Sequence, residues 1–274
     1  MAGESELSVR AYGDRGPLVV LVHGGPGAPG YLVGPARELA TLCRVLEPTQ
    51  RRSGGERLSV ARHVADLARL LAARGDGRRA VLVGHSWGAM LALAYAAAHP
   101  ASVAGLGLVG CGTFDPDSRR RCHEIRERRM TPEVRRRLEL IERRAASPDD
   151  RLCRVAELYL SVDSVDLLPG WEMRFESCDA RGYSESWQDM LRLQEEGLYP
   201  AAFSAITAPV LMLHGDADPH PGAMIRDSLK PFLAELDYRE LDRCGHYPWL
   251  EAAARREFYA QLREWIESLE VEPS

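Results

Sequence analysis

Ala80-Val81-Leu82-Val83-Gly84-His85-Ser86-Trp87-Gly88-Ala89-Met90-Leu91-Ala92-Leu93 decides the fold. Its first four residues form a continuous apolar run, the pattern of a strand buried on both faces. From Ser86 the chain changes to an alanine-rich helical run. That run ends at Ala98, just before His99-Pro100, because the residue preceding a proline resists the helical conformation. Between strand and helix lies Gly84-x-Ser86-x-Gly88. A serine on so sharp a turn takes a strained backbone and projects its hydroxyl above the sheet. Its flanking positions must be small so that neighbouring backbone can pass. The helix that starts there also aims N–H groups at the hydroxyl. Ser86 is therefore the candidate nucleophile.

The same alternation extends outward. Leu18-Val19-Val20-Leu21-Val22 is another fully apolar run, and Arg44-Val45-Leu46 is a weaker strand. Residues 59–74 place Val60, Val64, Leu67, Leu70 and Leu71 on one helical face, with Gly75 as the stop. Residues 105–109 are the next strand. From 113 to 205 the strand pattern breaks, and helices are expected over 118–130, 132–146, 149–162 and 184–196. The strands resume at 209–213 and 236–241, and an amphipathic helix over 252–269 closes the pattern. Strands and helices alternating through short connections predict an α/β fold, a mostly parallel sheet with helices on both faces. Residues 1–112 and 206–274 would form the core. Residues 113–205 would be a helical insertion lying over the sheet as a lid. The stretch 119–144 is rich in arginine with interleaved acids, which predicts a solvated, ion-paired helix surface rather than an anion-binding patch.

Three further loops carry chemistry at the strand ends. His23-Gly24-Gly25-Pro26-Gly27 follows the Leu18 run. A nucleophilic serine generates an oxyanion that needs two donors, each worth ~3 kcal/mol of transition-state stabilisation. The Gly25 N–H and the N–H of Trp87, the residue after the nucleophile, are the candidates. No phosphate-loop or dinucleotide fingerprint is present there. His214-Gly215-Asp216-Ala217-Asp218 follows the 209–213 strand and supplies a carboxylate to orient an imidazole. Two aspartates compete; Asp218, further out on the loop, is better placed, and Asp216 has the alternative role of a turn residue. Cys244-Gly245-His246-Tyr247-Pro248 follows the last strand and offers His246 as general base. His23 and His214 read as loop-stabilising, His23 in support of the oxyanion loop. The order Ser, Asp, His suits this arrangement.

These residues resemble the α/β-hydrolase superfamily, on HGGPG at 23–27, GHSWGA at 84–89, HGDAD at 214–218 and GHYPWLE at 245–251. HGGPG is similar to the proline iminopeptidase (prolyl aminopeptidase) branch. Gln50-Arg51-Arg52-Ser53-Gly54 resembles a loop of that branch, with Thr49 in place of an aspartate and Arg52 in place of a glycine. The resemblance implies acyl transfer by Ser86, His246 and Asp218, without metal or organic cofactor. It also implies that lid acids such as Glu172 and Glu176, beside Trp171, bind a substrate amino terminus. Trp171, Tyr183 and Trp187 are candidate pocket aromatics, with lid packing as the alternative. A narrower reading is an aminopeptidase acting on N-terminal proline. A different class is a hydrolase-fold binding protein with little turnover.

The 274 residues, 45% apolar and 27% charged, suffice for one large globular domain. A net charge of -5 disfavours nucleic acid as partner, leaving a small-molecule substrate as the expected one. The acidic start and the interrupted apolar tract at 80–98 predict neither a secretory signal nor a membrane span. Six cysteines without a C-x-x-C pair then point to reduced thiols in a cytoplasm. Oligomeric state leaves no trace in the pattern.

Overall fold

The computed structural model describes residues 7–170, 175 and 177–269. Seven strands form one sheet: β1 (Val9–Tyr12), β2 (Leu18–Val22), β3 (Arg44–Pro48), β4 (Ala80–His85), β5 (Val103–Val109), β6 (Val210–Gly215) and β7 (Leu236–Leu241). Their spatial order is β1-β3-β2-β4-β5-β6-β7. Only β1 runs antiparallel, with Val9 opposite Pro48 and Tyr12 opposite Val45. Successive side chains point to opposite faces of a strand, so each central strand feeds two cores. Val20, Leu82, Leu108 and Met212 pack with α2 (Val60–Arg74) and α3 (Trp87–Ala98) on one face. Val19, Val81, Val83 and Leu211 pack with α1 (Val33–Leu39) and α9 (Arg255–Ser268) on the other.

The central strands and the helices α2, α3 and α9 match the sequence reading to within a few residues. Strand β1 and helices α1 and α8 (Gly222–Leu229) were not foreseen. Each is short, and α1 carries Gly34 and Pro35 and has no side-chain cap. The β1 edge is held by polar contacts, with Arg10 Nη2 2.7 Å from Glu47 Oε1 and Tyr12 Oη donating to Glu47 Oε2 at 2.9 Å.

Between β5 and β6 lie α4 (Pro116–Arg129), α5 (Pro132–Arg144), α6 (Pro148–Asp163) and α7 (Ala180–Glu195). Each starts at a capping side chain: Asp115, Thr131, Ser147 and Asp179 accept the N–H of the third residue on. Such caps satisfy an orphan donor and are worth about 1 kcal/mol each. The first three also carry proline in the first turn, where its missing N–H is harmless.

Two expectations about this region need correction. Cys153 on α6 is disulfide-bonded to Cys178, so the thiols are not all reduced, and cysteine usage no longer argues for a reducing compartment. The pairing arises because α6 packs beside the segment entering α7, bringing the two Cα atoms to 5.7 Å, within disulfide reach. A separation of 25 residues leaves no sequence pattern to announce it. The arginine-rich stretch is also not uniformly a solvated surface. Arg120 pairs with Asp117, Arg121 with Glu124 and Arg143 with Glu139 in the expected way. Arg119 and Arg126 instead line a cavity, and Arg129 clips α4 to the carbonyls of Val162 and Ala217. Among the described residues, no helix is long and apolar enough to cross a membrane.

Candidate active site

Ser86 sits between β4 and α3 with φ 57° and ψ -122°. A positive φ at a residue with a Cβ costs of order 1–3 kcal/mol and persists only where the surroundings enforce it. Here they do. A Cβ on Gly84 would lie 2.4 Å from the Gly88 carbonyl oxygen, and one on Gly88 would lie 2.1 Å from that of Val22. The backbones are therefore packed too closely for any side chain on either flank of the serine. The Ser86 N–H donates to Val109 O at 2.9 Å, which ties the turn to the neighbouring strand end.

The loops after β6 and β7 meet beside it. His246 Nδ1–H donates to Asp218 Oδ2 at 2.7 Å, and both side chains are buried. That bond fixes the tautomer with a bare Nε2. Asp216, the competing aspartate, instead accepts the Cys244 N–H at 2.9 Å and so holds the histidine loop. Ser86 and His246 line one cavity of about 500 Å³, together with Gly25 and Trp87. As the first residue of α3, Trp87 has an N–H with no acceptor inside the helix. Among the described residues, no hydrogen bond joins the Ser86 hydroxyl to the imidazole.

The carboxylate of Asp218 serves more than one imidazole. His220 Nδ1 bonds Oδ1 at 2.9 Å, and the His220 backbone N–H reaches the same oxygen at 2.8 Å. His214 Nε2 approaches Oδ2 at 3.3 Å while bonding the His220 carbonyl at 2.8 Å. The His220 and His246 rings stack with centroids 4.4 Å apart. Burial alone would raise the Asp218 pKa. The imidazoles of His246, His220 and His214 outweigh it and hold the carboxyl well below the usual range. Burial, then the neighbouring His246, pushes His220 down to about 4, so it stays neutral. Asp218, His220 and His246 also bring donor atoms within 4.8 Å of one another, close enough to suggest a metal. Both carboxylate oxygens and both Nδ1 atoms are already engaged with each other, which suits a closed acid–imidazole network better.

A buried chain of hydrogen bonds joins the glycine loop to the histidine loop. The Gly24 N–H donates to Tyr31 Oη at 2.6 Å, and Tyr31 Oη lies 2.8 Å from His85 Nδ1. His85 Nε2 lies 2.9 Å from the carbonyl of His246. A carbonyl can only accept, so Nε2 carries the His85 proton and Tyr31 donates to Nδ1. Burial raises the Tyr31 pKa well above its ordinary value, which keeps that donor protonated. Tyr31→Phe strands the Gly24 N–H and the His85 nitrogen. We expect it to lower the unfolding free energy by about 2 kcal/mol; an unchanged urea midpoint would show that the bridge holds nothing.

Two more anchors complete the frame. His23 accepts the Gln50 N–H on Nε2 at 3.1 Å and contacts Gly24 O through Nδ1 at 3.0 Å, which gives the glycine loop its support. Buried Glu251 accepts the N–H groups of Gly245 at 3.0 Å and Asp166 at 2.6 Å, tying the histidine loop to the chain leaving α6. Tyr183 and Trp187 line the cavity from α7. Trp171, Glu172 and Glu176 lie outside the described residues. Sequence reasoning gave no role to Tyr31, His85, His220 or Glu251. His85 and Glu251 stood inside quoted motifs, and His220 stands two residues after Asp218. Position was the one available signal for all three.

The strand order, the serine turn and the loops above it define a class. The chain belongs to the alpha/beta hydrolase family, whose sequence profile matches residues 19–261. Among curated proteins, "Putative carbamate hydrolase RutD" of Shigella flexneri is 35% identical over 128 residues, 44% of this chain and 47% of that protein. The match thus spans about half the length of the curated relatives. VinJ superposes with a TM-score of 0.68 at 21% identity, over 97% of this chain and 96% of its own. A proline iminopeptidase of Mycobacterium smegmatis superposes with a TM-score of 0.61 at 18% identity, over 97% and 95%. At such identities the superpositions speak for the fold alone.

Proposed function

We propose that the protein is a serine hydrolase that cleaves an acyl bond of a small-molecule substrate through Ser86, His246 and Asp218. The observation that carries this reading is one cavity lined by a serine on a strained strand-to-helix turn and by an imidazole whose far nitrogen is held by a buried carboxylate. His246 Nε2 takes the Ser86 proton as Oγ attacks the carbonyl carbon. The N–H groups of Gly25 and Trp87 receive the oxyanion. The imidazolium, stabilised by Asp218, protonates the leaving group, and water then releases the acyl-enzyme by the reverse proton path. His220, held neutral, adds no second positive charge against that imidazolium. The helices of residues 113–205 serve as the lid, with Tyr183 and Trp187 as its pocket aromatics. The scissile bond is an ester, amide or carbamate.

The test joins labelling with turnover. The protein is incubated with a fluorophosphonate, and the adduct is mapped by mass spectrometry. A panel of p-nitrophenyl esters and proline arylamides is then assayed. Labelling of Ser86 with ester turnover is the expected result. Proline arylamide turnover well above that of the esters would move the reading to an iminopeptidase. A folded protein that neither labels nor turns over would be a binding protein, and the proposal would fail.

A further inference from the structure

The arginines of α4 are not equivalent, and the difference bears on the substrate. Arg119, Cys122, His123 and Arg126 fall at i, i+3, i+4 and i+7, one face of the helix, and all four line the cavity that holds Ser86. Arg126 is neutralised: its Nε and Nη2 reach the two oxygens of buried Asp163 at 2.9 and 2.6 Å. Arg119 is not. Among the described residues its one hydrogen bond runs from Nη2 to Gln194 Oε1 at 2.5 Å, and that partner carries no charge. Gln194 is itself held, its Nε2 donating to Thr113 O at 3.1 Å, so the guanidinium is oriented rather than loose. Arg119 Nε is buried and has no hydrogen-bond partner among the described residues. A buried donor on a charged group left unpaired is costly, and Asp163, the described carboxylate on the cavity wall, is already paired with Arg126.

We infer that Arg119 is the binding site for a carboxylate carried by the substrate, so that the protein acts on anionic acyl compounds. This rests on the serine hydrolase reading of the same cavity. A planar guanidinium on the cavity wall, held from one side by a neutral amide, suits a carboxylate, and pairing inside a cavity gains more than it would in water. The carboxylate belongs either to the acyl part, as in a half-ester of a dicarboxylic acid, or to the leaving group.

The experiment compares kcat/KM for matched pairs. p-Nitrophenyl hydrogen glutarate against p-nitrophenyl valerate probes an anionic acyl group. 4-Acetoxybenzoate against phenyl acetate probes an anionic leaving group. The wild-type protein is expected to prefer the anionic member of one pair. Arg119→Gln is expected to lower the anionic-to-neutral ratio by on the order of 30-fold or more, and Arg119→Lys to restore part of it. Equal rates within both pairs for the wild type, or an unchanged ratio in Arg119→Gln, would overturn the inference while Ser86 labelling and ester turnover leave the hydrolase reading standing. If turnover is absent, thermal stabilisation by glutarate still tests Arg119 alone: a shift in the wild type lost in Arg119→Gln supports the site, and no shift removes it.

Discussion

Ser86→Ala is expected to lower kcat by at least about 10⁴-fold on whichever ester or amide the protein turns over, and to abolish fluorophosphonate labelling. The loss follows from removing the attacking oxygen while the strained turn, the glycine loop and the cavity remain. Asp218→Asn is expected to fall in the same range for a different reason. An amide at this position would present a donor to His246 Nδ1 and favour the wrong tautomer. It would also disturb His220, which uses the other carboxylate oxygen. Asp218→Asn should therefore lower the urea midpoint as well as kcat, whereas Ser86→Ala should leave stability nearly unchanged. Ser86→Gly separates strain from chemistry. It should be as inactive as Ser86→Ala, yet about 1 kcal/mol more stable, because glycine takes φ 57° without penalty. Residual turnover of Ser86→Ala within tenfold of wild type would rule out this serine as nucleophile.

The second large effect is acid unfolding. Burial lowers His23, His63 and His220 from 6.5 to about 4, and lowers His85 and His214 in the same direction. These groups are neutral in the native state but protonate near 6.5 once unfolded. The unfolded chain thus binds more protons between pH 6.5 and 4. Their stabilising contribution is complete above pH 6.5 and is lost as the pH falls toward 4. At about 1.4 kcal/mol per pH unit, each of the first three contributes a loss of about 2 kcal/mol by pH 5, or roughly 6 kcal/mol together. Asp218, held as a carboxylate, loses its contribution in the same direction at still lower pH. A domain of ordinary stability, ~5–15 kcal/mol, would lose a large part of it. Urea titrations at pH 7.5 and pH 5.0 should show the midpoint falling by about half. A flat response over that interval would mean that these imidazoles are not held neutral.

The main features of the candidate site were legible in the chain because buried parallel strands are written as unbroken apolar runs. In an open α/β sheet the residues just after such strands gather at one edge. Leu18–Val22, Ala80–His85 and Val210–Gly215 are strands of this kind, and the loops after them carry Gly25, Ser86 and Asp218. The short β1, α1 and α8 were missed because a few residues hold too little periodicity to stand out.

The linear sequence by itself determined the strand-to-helix turn at Ser86, the chain order of serine, acid and histidine, and the run of helices between β5 and β6. Each is a matter of neighbours within a few residues, where spacing and backbone preference act directly. Tertiary structure alone decided that Asp218 meets His246 while Asp216 pins Cys244, that Tyr31 and His85 bridge two loops, and that Cys153 finds Cys178. It also decided which arginines of α4 turn inward. That helix has charge on every side, so no apolar stripe marks its inner face, and only the packing of the other helices around the cavity selects Arg119 and Arg126.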